Sequence, residues 1–438
     1  MMKHRTIALL AGCLSLAVSA QTLTLDECKR LAQENYPAVK QYDLIKTSRD
    51  FTIENAAKGW LPQVSASTGG YAFTDIVKLP DRLSAAGMET DMKNWMANAS
   101  VTVSQPIYDG GSIAAQKRVA EAQADVDTKQ LNVTMYDLNQ RVEQLFFGIL
   151  MYDEQIKQTR LLLNDLAISH QTVSSMMKSG VANPSDLDAV RVEQIRGEQQ
   201  IDALQASRKA YLTMLGTFIG TNLTGDAASG ASDRSSEWTL VAPPFPPAEA
   251  GTASGEWESN RPELSYYNSQ KQLLDAQKST LDARLKPTLS AFGTGMVHSQ
   301  VSDMVNNGIL MGGVTLNWNI GALYTRKNDL RKLDNQRKMI DAQRETFLFN
   351  NRLQSENTNG TIANLRRQIA QDDEIVRLRE SIRSKSEKKV QLGTESINEM
   401  LRDINAVSQA RQQKALHEIQ LLQAVYQLRN IQNPRQGE

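Results

Sequence analysis

Residues 131–156 read LNVTMYDLNQRVEQLFFGILMYDEQI, and this stretch decides the fold. Its apolar residues alternate at intervals of four and three: Leu131, Met135, Leu138, Val142, Leu145, Ile149, Tyr152 and Ile156. An average spacing of about 3.5 residues is typical of a left-handed coiled coil. The pattern continues as far as Met177, and no proline interrupts it between Gly111 and Gly180. The sequence therefore predicts a single helix of about 100 Å at about 1.5 Å per residue.

A tight turn follows this helix. The run Gly180-Val181-Ala182-Asn183-Pro184 contains residues that end helices, and Ser185 can cap a returning one. The final helix keeps its apolar register from Ile397 to Val407, and the register then meets three charged residues: Arg411, Lys414 and Glu418. This polar midsection fits a helix that is solvated there, or a helix in the wall of a water-filled tube.

Weak matches at constant spacing indicate an internal repeat. Two pairs of segments match at one common offset: Asn35–Val39 with Asn260–Leu264, and Leu61–Ala66 with Lys286–Ala291. Two more match at a second, shorter offset: Val101–Val103 with Val314–Leu316, and Ser179–Val181 with Leu392–Thr394. The offset changes between Pro62 and Val101, where the first copy carries a longer loop.

We interpret the chain as a tandem duplication with five parts: a signal peptide (1–20), a first repeat (21–220), a Gly/Ser/Pro-rich linker (221–255), a second repeat (256–430) and a tail (431–438). Each repeat is expected to hold a helix, a β-hairpin and a long helical hairpin.

The strands are predicted from alternation. Apolar and polar residues alternate from Trp95 to Ser104 and from Val314 to Ile320, with weaker partner strands near 61–74 and 287–297. About ten residues of period-two alternation are typical of a transmembrane β-strand with one face towards lipid. A half-exposed hairpin of a soluble protein gives the same pattern, but four strands at duplicated positions favour the membrane.

The N-terminus is typical of a secretory signal. A charged start at residues 3–5 precedes an apolar stretch and the small-residue cleavage site Val18-Ser19-Ala20. Leu10-Ala11-Gly12-Cys13 also resembles a lipobox, which would place a lipid on Cys13 instead. Without Cys13, Cys28 is alone, so no intramolecular disulfide is expected, and we interpret it as a structural thiol.

Composition excludes several classes of function. The formal net charge is zero, which predicts no nucleic-acid partner. The three histidines beyond the signal, at positions 170, 298 and 417, lack metal-ligand spacing, and the chain has no nucleophile elbow or phosphate-binding glycine loop. We therefore expect no enzyme activity, no catalytic residue, no metal site and no cofactor.

The number of strands predicts the assembly. Four strands cannot close a barrel, and open strand edges are not tolerated in lipid. Two chains would give a narrow eight-stranded barrel, whereas three would give twelve strands with room for an aqueous lumen. Helical hairpins of about 100 Å exceed the membrane thickness several-fold, so they must project into the periplasm.

The chain resembles the TolC-like outer-membrane efflux protein family over essentially the whole mature sequence. Five segments carry the resemblance: Gly59–Pro62, Pro106–Gly111, Arg261–Leu264, Gly180 with Asp186–Ala189, and Gly393 with Glu399–Leu401. The resemblance implies a mixed α+β membrane protein, a homotrimer whose 12-stranded outer-membrane barrel is continued by a periplasmic α-helical coiled-coil barrel. It also implies a channel of a tripartite export system in the outer membrane, in contact with lipid, a periplasmic adaptor and an inner-membrane efflux pump or secretion transporter.

Two sets of site residues follow from the resemblance. The hairpin tips are expected to dock the adaptor: Gly180, Val181, Ala182, Gly393, Thr394 and Glu395. A periplasmic constriction is expected from charged residues just beyond the tips: Asp186, Asp188, Glu399, Arg402 and Asp403. Arg402 departs from the acidic pair that the family often has there, and the same residues fit solvated helix positions equally well. Arg402 or Arg383 could neutralise Glu399.

Two other functions remain open from the sequence. A secreted structural coiled-coil protein explains the heptads but not the paired strands. A stand-alone diffusion pore explains the strands but gives the long hairpins no purpose. The sequence does not distinguish drug efflux, small-molecule efflux and type I secretion.

Overall fold

The structure is a computed structural model that describes residues 22–72, 95–224, 238–245, 260–298 and 308–432. The predicted signal peptide, the alternative lipid site at Cys13 and most of the predicted linker lie outside these residues.

The elements of the first half are β1 (Thr22–Leu23), α1 (Leu25–Asn35), α2 (Gln41–Ala57), β2 (Gln63–Ala72), β3 (Trp95–Tyr108), α3 (Ser112–Lys178) and α4 (Pro184–Ile219). Those of the second half are β4 (Thr239–Leu240), α5 (Pro262–Arg284), β5 (Thr288–His298), β6 (Ile309–Asn317), α6 (Ala322–Gln391) and α7 (Ile397–Gln432). Short 3-10 turns flank α2 at Pro37–Lys40 and Lys58–Trp60. The four predicted strands and the long helix form, but β6 begins five residues before and ends three residues before the predicted strand at 314–320. The predicted linker contributes β4, which pairs in parallel with β1.

The chain divides into two compact units that cut across the sequence halves. The sheet unit comprises residues 40–133 and 261–349, and the helical unit comprises the described parts of 1–39, 134–260 and 350–438. Each half of the sequence therefore contributes to both units.

The sheet unit contains one antiparallel sheet with the strand order β2-β3-β5-β6. Each predicted hairpin forms, and β3 joins β5 across the two halves, pairing Val101 with Gly295 and Thr102 with Thr294. The register shifts once, between Pro106 and Tyr108. Within the described chain, β2 and β6 each have a strand on one side only.

The helical unit is held by apolar clusters between the long helices. One cluster near the turns joins α3, α4, α6 and α7: Leu166, Val173, Val190, Val390, Ile397, Met400, Leu401 and Ile404. A second cluster joins α6 to α7 further along: Ile362, Leu365, Leu421, Ala424 and Leu428. The predicted heptad positions Leu166 and Val173 on α3 therefore face other helices of the same chain. Among the described helices, none has the length and apolar content that crossing a bilayer requires.

Candidate functional site

The two faces of the four-stranded sheet differ in chemistry. Directly paired residues share a face, so the register assigns every described position to one side. One face is mainly apolar: Val64, Ala66, Ala97, Ala99, Val101, Val103, Leu289, Ala291, Val297, Leu310, Val314 and Leu316, with Thr68 and Gln105 as polar exceptions. The opposite face carries hydroxyl and amide groups: Gln63, Ser65, Ser67, Asn98, Ser100, Thr102, Ser104, Thr288, Ser290, Thr294, Thr315 and Asn317.

Hydrogen bonds between strands organise the polar face. Ser67 and Ser100 lie 2.8 Å apart at their hydroxyl oxygens, and Thr102 and Thr294 lie 3.0 Å apart at theirs. The same face also carries Phe292 in the middle of β5, and Tyr71, Met296, Ile309 and Met311 near the loop ends of the strands. The described strands of this sheet contain no Asp, Glu, Lys or Arg. One side of the sheet therefore suits lipid and the other suits water.

The tips of the two helical hairpins have the same backbone geometry. Gly180 and Gly393 adopt φ values of +75° and +70°, a conformation that side chains other than glycine rarely adopt. Val181 beside the first glycine is 58% exposed, and Leu392 beside the second is 78% exposed. Each tip therefore presents an apolar side chain to its surroundings.

The carboxylates just beyond the tips begin the returning helices. Asp186 Oδ2 accepts a hydrogen bond from the amide of Asn183 at 2.9 Å, which completes a capping box on α4. Glu399 Oε2 accepts from the Ser396 amide at 3.1 Å and lies 3.0 Å from its hydroxyl. These hydrogen bonds, with Arg402 and Lys389 nearby, lower the pKa of Glu399 below its usual value.

The remaining predicted site residues have varied surroundings. Glu395 turns inward, where Ser386 Oγ lies 2.7 Å from its Oε1 and Lys389 Nζ lies 3.4 Å from its Oε2. Asp188 and Arg402 are exposed, and Ala182 and Asp403 are half-buried. Thr394 caps the end of α6, donating from its hydroxyl to the Lys389 carbonyl at 3.1 Å.

Arg383 belongs to an ionic layer between the two apolar clusters. Its Nη1 lies 2.6 Å from Asp165 Oδ2 on α3, and its Nε lies 2.8 Å from Glu387 Oε1. Arg411 on α7 lies 2.6 Å from Glu380 and 3.8 Å from the same Asp165 oxygen. Of the two arginines offered as partners of Glu399, Arg383 is therefore engaged with other carboxylates.

The polar midsection of α7 continues with further contacts to α6. Lys414 Nζ lies 2.6 Å from Asp373 and 3.7 Å from Glu418. His417 Nδ1 lies 2.6 Å from Asp372 Oδ2, with both side chains largely buried. The charged residues that interrupt the apolar register of α7 therefore bind α7 to α6.

Two buried polar groups are structural. Cys28 is fully buried, and this burial raises its pKa to about 12, so the thiol stays protonated at neutral pH. Glu143 on α3 contacts Lys29 of α1 and Asn430 of α7, and burial raises the pKa of its carboxyl. In the described part of the chain, no cluster of His, Cys, Asp or Glu could hold a metal ion.

Sequence reasoning missed three features of these surfaces. The capping boxes could have been found, because Asn183-x-x-Asp186 and Ser396-x-x-Glu399 are recognisable N-terminal patterns. Leu392 could have been found from its place beside the second glycine. The burial of Glu395 had no sequence signal, since its contacts depend on how the turn folds.

Comparison with known proteins gives a sequence family and a fold. The model of the family described as outer membrane efflux protein matches residues 30–221. A search of curated protein sequences found no significant match. The family model matches only the first half of the chain, so the comparison of the second half rests on structure.

Solved structures are similar over nearly the whole chain. The outer membrane protein VceC from Vibrio cholerae has a TM-score of 0.63 at 10% identity, with 93% of this chain and 95% of that chain covered. The CmeC outer membrane channel from Campylobacter jejuni has a TM-score of 0.63 at 12% identity, with 93% and 85% covered. A membrane protein from Pseudomonas aeruginosa has a TM-score of 0.65 at 14% identity, with 94% and 92% covered.

The sequence match and the structural matches agree. At these identities the structural similarity shows the fold alone, and it extends that fold over both halves. Together, the findings show that residues 30–221 match the outer membrane efflux protein family and that nearly the whole chain shares the fold of solved outer membrane channels.

Proposed function

We propose that three copies of this chain form one outer-membrane duct, in which twelve strands close a barrel and the helical units continue it into the periplasm. The proposed duct is an outer-membrane efflux channel of a tripartite export system, and the family match of residues 30–221 supports this function. The observation that carries the proposal is the sheet, which is apolar on one face and polar on the other.

The edges of the sheet support closure between chains. Strands β2 and β6 each leave one row of backbone groups without a strand partner in the described chain. Backbone N–H and C=O groups without hydrogen-bond partners are unfavourable in lipid, because no water is present there to bond with them. If β6 of one chain pairs with β2 of the next, every row is satisfied and the sheet closes.

Aromatic side chains support the membrane position. Trp60, Tyr108 and Trp318 are exposed and lie where strands meet the helix-bearing segments. Tryptophan and tyrosine concentrate where a barrel crosses the boundary between lipid and water. These residues would mark the periplasmic boundary of the membrane.

The tips are proposed as the contact with a periplasmic adaptor. This contact covers the segments Gly180–Ala182 and Gly393–Glu395, together with Leu392. Its support is the exposed apolar side chain at each tip, Val181 and Leu392, because such groups commonly become buried in a partner. Since Glu395 turns inward, its role would be to shape the second tip.

Replacing the apolar side chains tests this contact. We expect Val181→Asp with Leu392→Asp to reduce export to the level of a strain without the protein, because a desolvated carboxylate opposes docking. The channel itself should assemble and conduct in planar bilayers. Val181→Leu is the matched control and should retain export. Normal export from the aspartate variant would remove the tips from the docking surface.

The periplasmic constriction is proposed for the acidic and basic residues beyond the tips: Asp186, Asp188, Glu399, Arg402 and Asp403. Threefold symmetry would bring like charges together around the axis, and rings of carboxylates favour cations. Glu399→Ala is therefore expected to lower the cation preference of the channel and weaken block by divalent ions. An unchanged preference in planar bilayers would place the constriction elsewhere.

The two rival functions have less support. A secreted coiled-coil protein has no need of a sheet with one apolar face, and a stand-alone pore has no need of helical hairpins with exposed apolar tips. The duct would carry what an inner-membrane pump or secretion transporter delivers, so small molecules and secreted proteins both remain possible cargo.

A further inference from the structure

A groove of about 280 Å³ lies in the sheet unit, where α5 ends and α6 begins. Leu281 and Leu285 provide apolar wall. The polar groups come from two arginines, one carboxylate and two neutral side chains: Arg284, Arg326, Asp329, Asn319 and Thr325. The groove therefore carries charged side chains, including two guanidinium groups, whereas the described strands beside it contain no Asp, Glu, Lys or Arg.

The groove lies within a basic segment of the surface. Residues 278–286 and 322–332 contain seven basic and two acidic residues, a net charge of +5. Arg284, Lys286, Lys327, Arg331 and Lys332 are all exposed. A bound anion would therefore be attracted by several charges in addition to those that line the groove.

The corresponding place in the first half lacks these charges. In the alignment that matches Leu61–Ala66 with Lys286–Ala291, Arg284 corresponds to Gly59, where an added Cβ would lie only 3.0 Å from Ile113. Arg326 corresponds to Gln116 when the starts of α3 and α6 are aligned. The matching residues, 53–61 and 112–122, contain three basic and two acidic residues, a net charge of +1. The fold therefore does not require the two arginines.

One guanidinium retains unused hydrogen-bonding capacity. Arg326 Nη2 donates to Asp282 at 3.0 Å, whereas its Nε is buried and has no hydrogen-bond partner among the described residues. A buried donor without an acceptor is unfavourable. The Arg326 side chain as a whole is 41% exposed, so its guanidinium can donate to a bound oxyanion.

The groove adjoins the apolar face of the sheet. Trp318 continues that face beyond Leu316, and its indole N–H donates at 2.9 Å to the carbonyl of Leu285, which lines the groove. A headgroup in the groove would thus lie next to acyl chains that cover the apolar face.

We propose that this groove binds the phosphate of an anionic phospholipid in the periplasmic leaflet of the outer membrane. The inference rests on the proposed function, which places the apolar face against lipid. Arginine binds phosphate through paired N–H groups, and basic clusters beside membrane-spanning segments attract anionic headgroups. Leu281 and Leu285 would contact the upper part of the lipid chains.

The test uses the full-length protein in detergent, titrated with phosphatidylglycerol and observed by native mass spectrometry. We expect the parent to retain phosphatidylglycerol in preference to phosphatidylethanolamine. Arg284→Gln should lower that affinity roughly fivefold, the effect of one surface charge on binding to an anionic lipid. Arg284→Lys should retain most of the affinity. Arg118→Gln, the exposed arginine near the start of α3, is the matched control and should bind like the parent.

Five results would overturn the proposal. One is equal binding of phosphatidylglycerol by the Arg284→Gln and Arg118→Gln variants, and another is displacement of the lipid by millimolar inorganic phosphate, which would indicate a free-phosphate site. Loss of the trimer in Arg284→Gln would indicate a subunit contact. If the unmodified protein forms a conducting trimer but shows no lipid preference, the lipid proposal alone is wrong. If the unmodified protein neither conducts nor forms a trimer, the proposed function is contradicted as well.

Discussion

At the scale of single residues, equivalent carboxylates cap the first turns of the helices that follow the two tips. Asp186 and Glu399 occupy equivalent positions of the repeat, equally far beyond Gly180 and Gly393, and each accepts a hydrogen bond from a backbone amide. The sequence predicted the tips from the two glycines, and it offered the two acids as pore residues. The structure adds a local role that does not depend on any assembly.

This role predicts a pH dependence for Glu399. Its folded-state pKa is lowered, so its stabilising contribution is present above its unfolded pKa of about 4.3 and is lost as pH falls through the folded value. We expect Glu399→Ala to increase hydrogen exchange in the first turn of α7 at pH 7. The difference between the parent and the variant should shrink as the pH falls from 7 towards 3, because the parent carboxyl takes up a proton as the pH falls through its folded pKa.

Comparison at the same pH is the control, since intrinsic exchange rates then cancel. A parent–variant difference that persists unchanged at pH 3, or none at pH 7, would contradict the capping role of Glu399. Glu399→Gln should behave as an intermediate case, because the amide oxygen still accepts a hydrogen bond without the charge.

At the scale of helices and strands, periodic patterns in the sequence predicted the elements better than they predicted which elements pair. The heptads predicted a helix from 111 to 180, and α3 spans Ser112–Lys178. The sequence does not predict what the charged midsection of α7 contacts, because periodicity identifies a helix face and not the element that covers it. Arg411 pairs with Glu380 on the preceding helix, and no local pattern connects the two residues.

The sheet shows a similar limit. Alternation predicted all four strands, and short spacing predicted which ones form hairpins. Neither the alternation nor the short spacing predicted that β3 pairs with β5 and so joins the two halves of the sequence. The register then revealed the two faces, because cross-strand pairs fix which alternate positions lie together.

Neighbouring residues on β6 provide a matched test of the two faces. Val314 lies on the apolar face and Thr315 on the polar face, and both are exposed in the single chain. We expect Val314→Lys to destabilise the inserted barrel by about 2–4 kcal/mol, the cost of a lysine near the middle of the bilayer. Thr315→Lys should be tolerated, because its charge would face the aqueous lumen.

Urea titration of the protein folded into lipid vesicles measures this difference. Equal losses in both variants, or a larger loss for Thr315→Lys, would reverse the assignment of the faces. Val314→Leu controls for a change of side-chain volume on the apolar face and should stay close to the parent.

At the scale of the whole molecule, the two compact units each draw on both halves of the sequence. The proposed duplication, with repeats at 21–220 and 256–430, accounts for this arrangement because each copy would supply two strands and one helical hairpin. The sequence suggests closure by three chains from the strand number and from the family resemblance. The unpaired outer sides of β2 and β6 in the described chain now give that suggestion a structural basis.

The mass of the membrane-extracted assembly tests the central claim most directly. Native mass spectrometry after gentle detergent extraction should give a species of three chains, and the same preparation should conduct in planar bilayers. Disruption of β6 by Val314→Pro should release single chains that no longer conduct, because proline removes a ladder hydrogen bond and disturbs the pairing strand. A conducting, membrane-inserted single chain, or an assembly of two or four chains, would contradict the account.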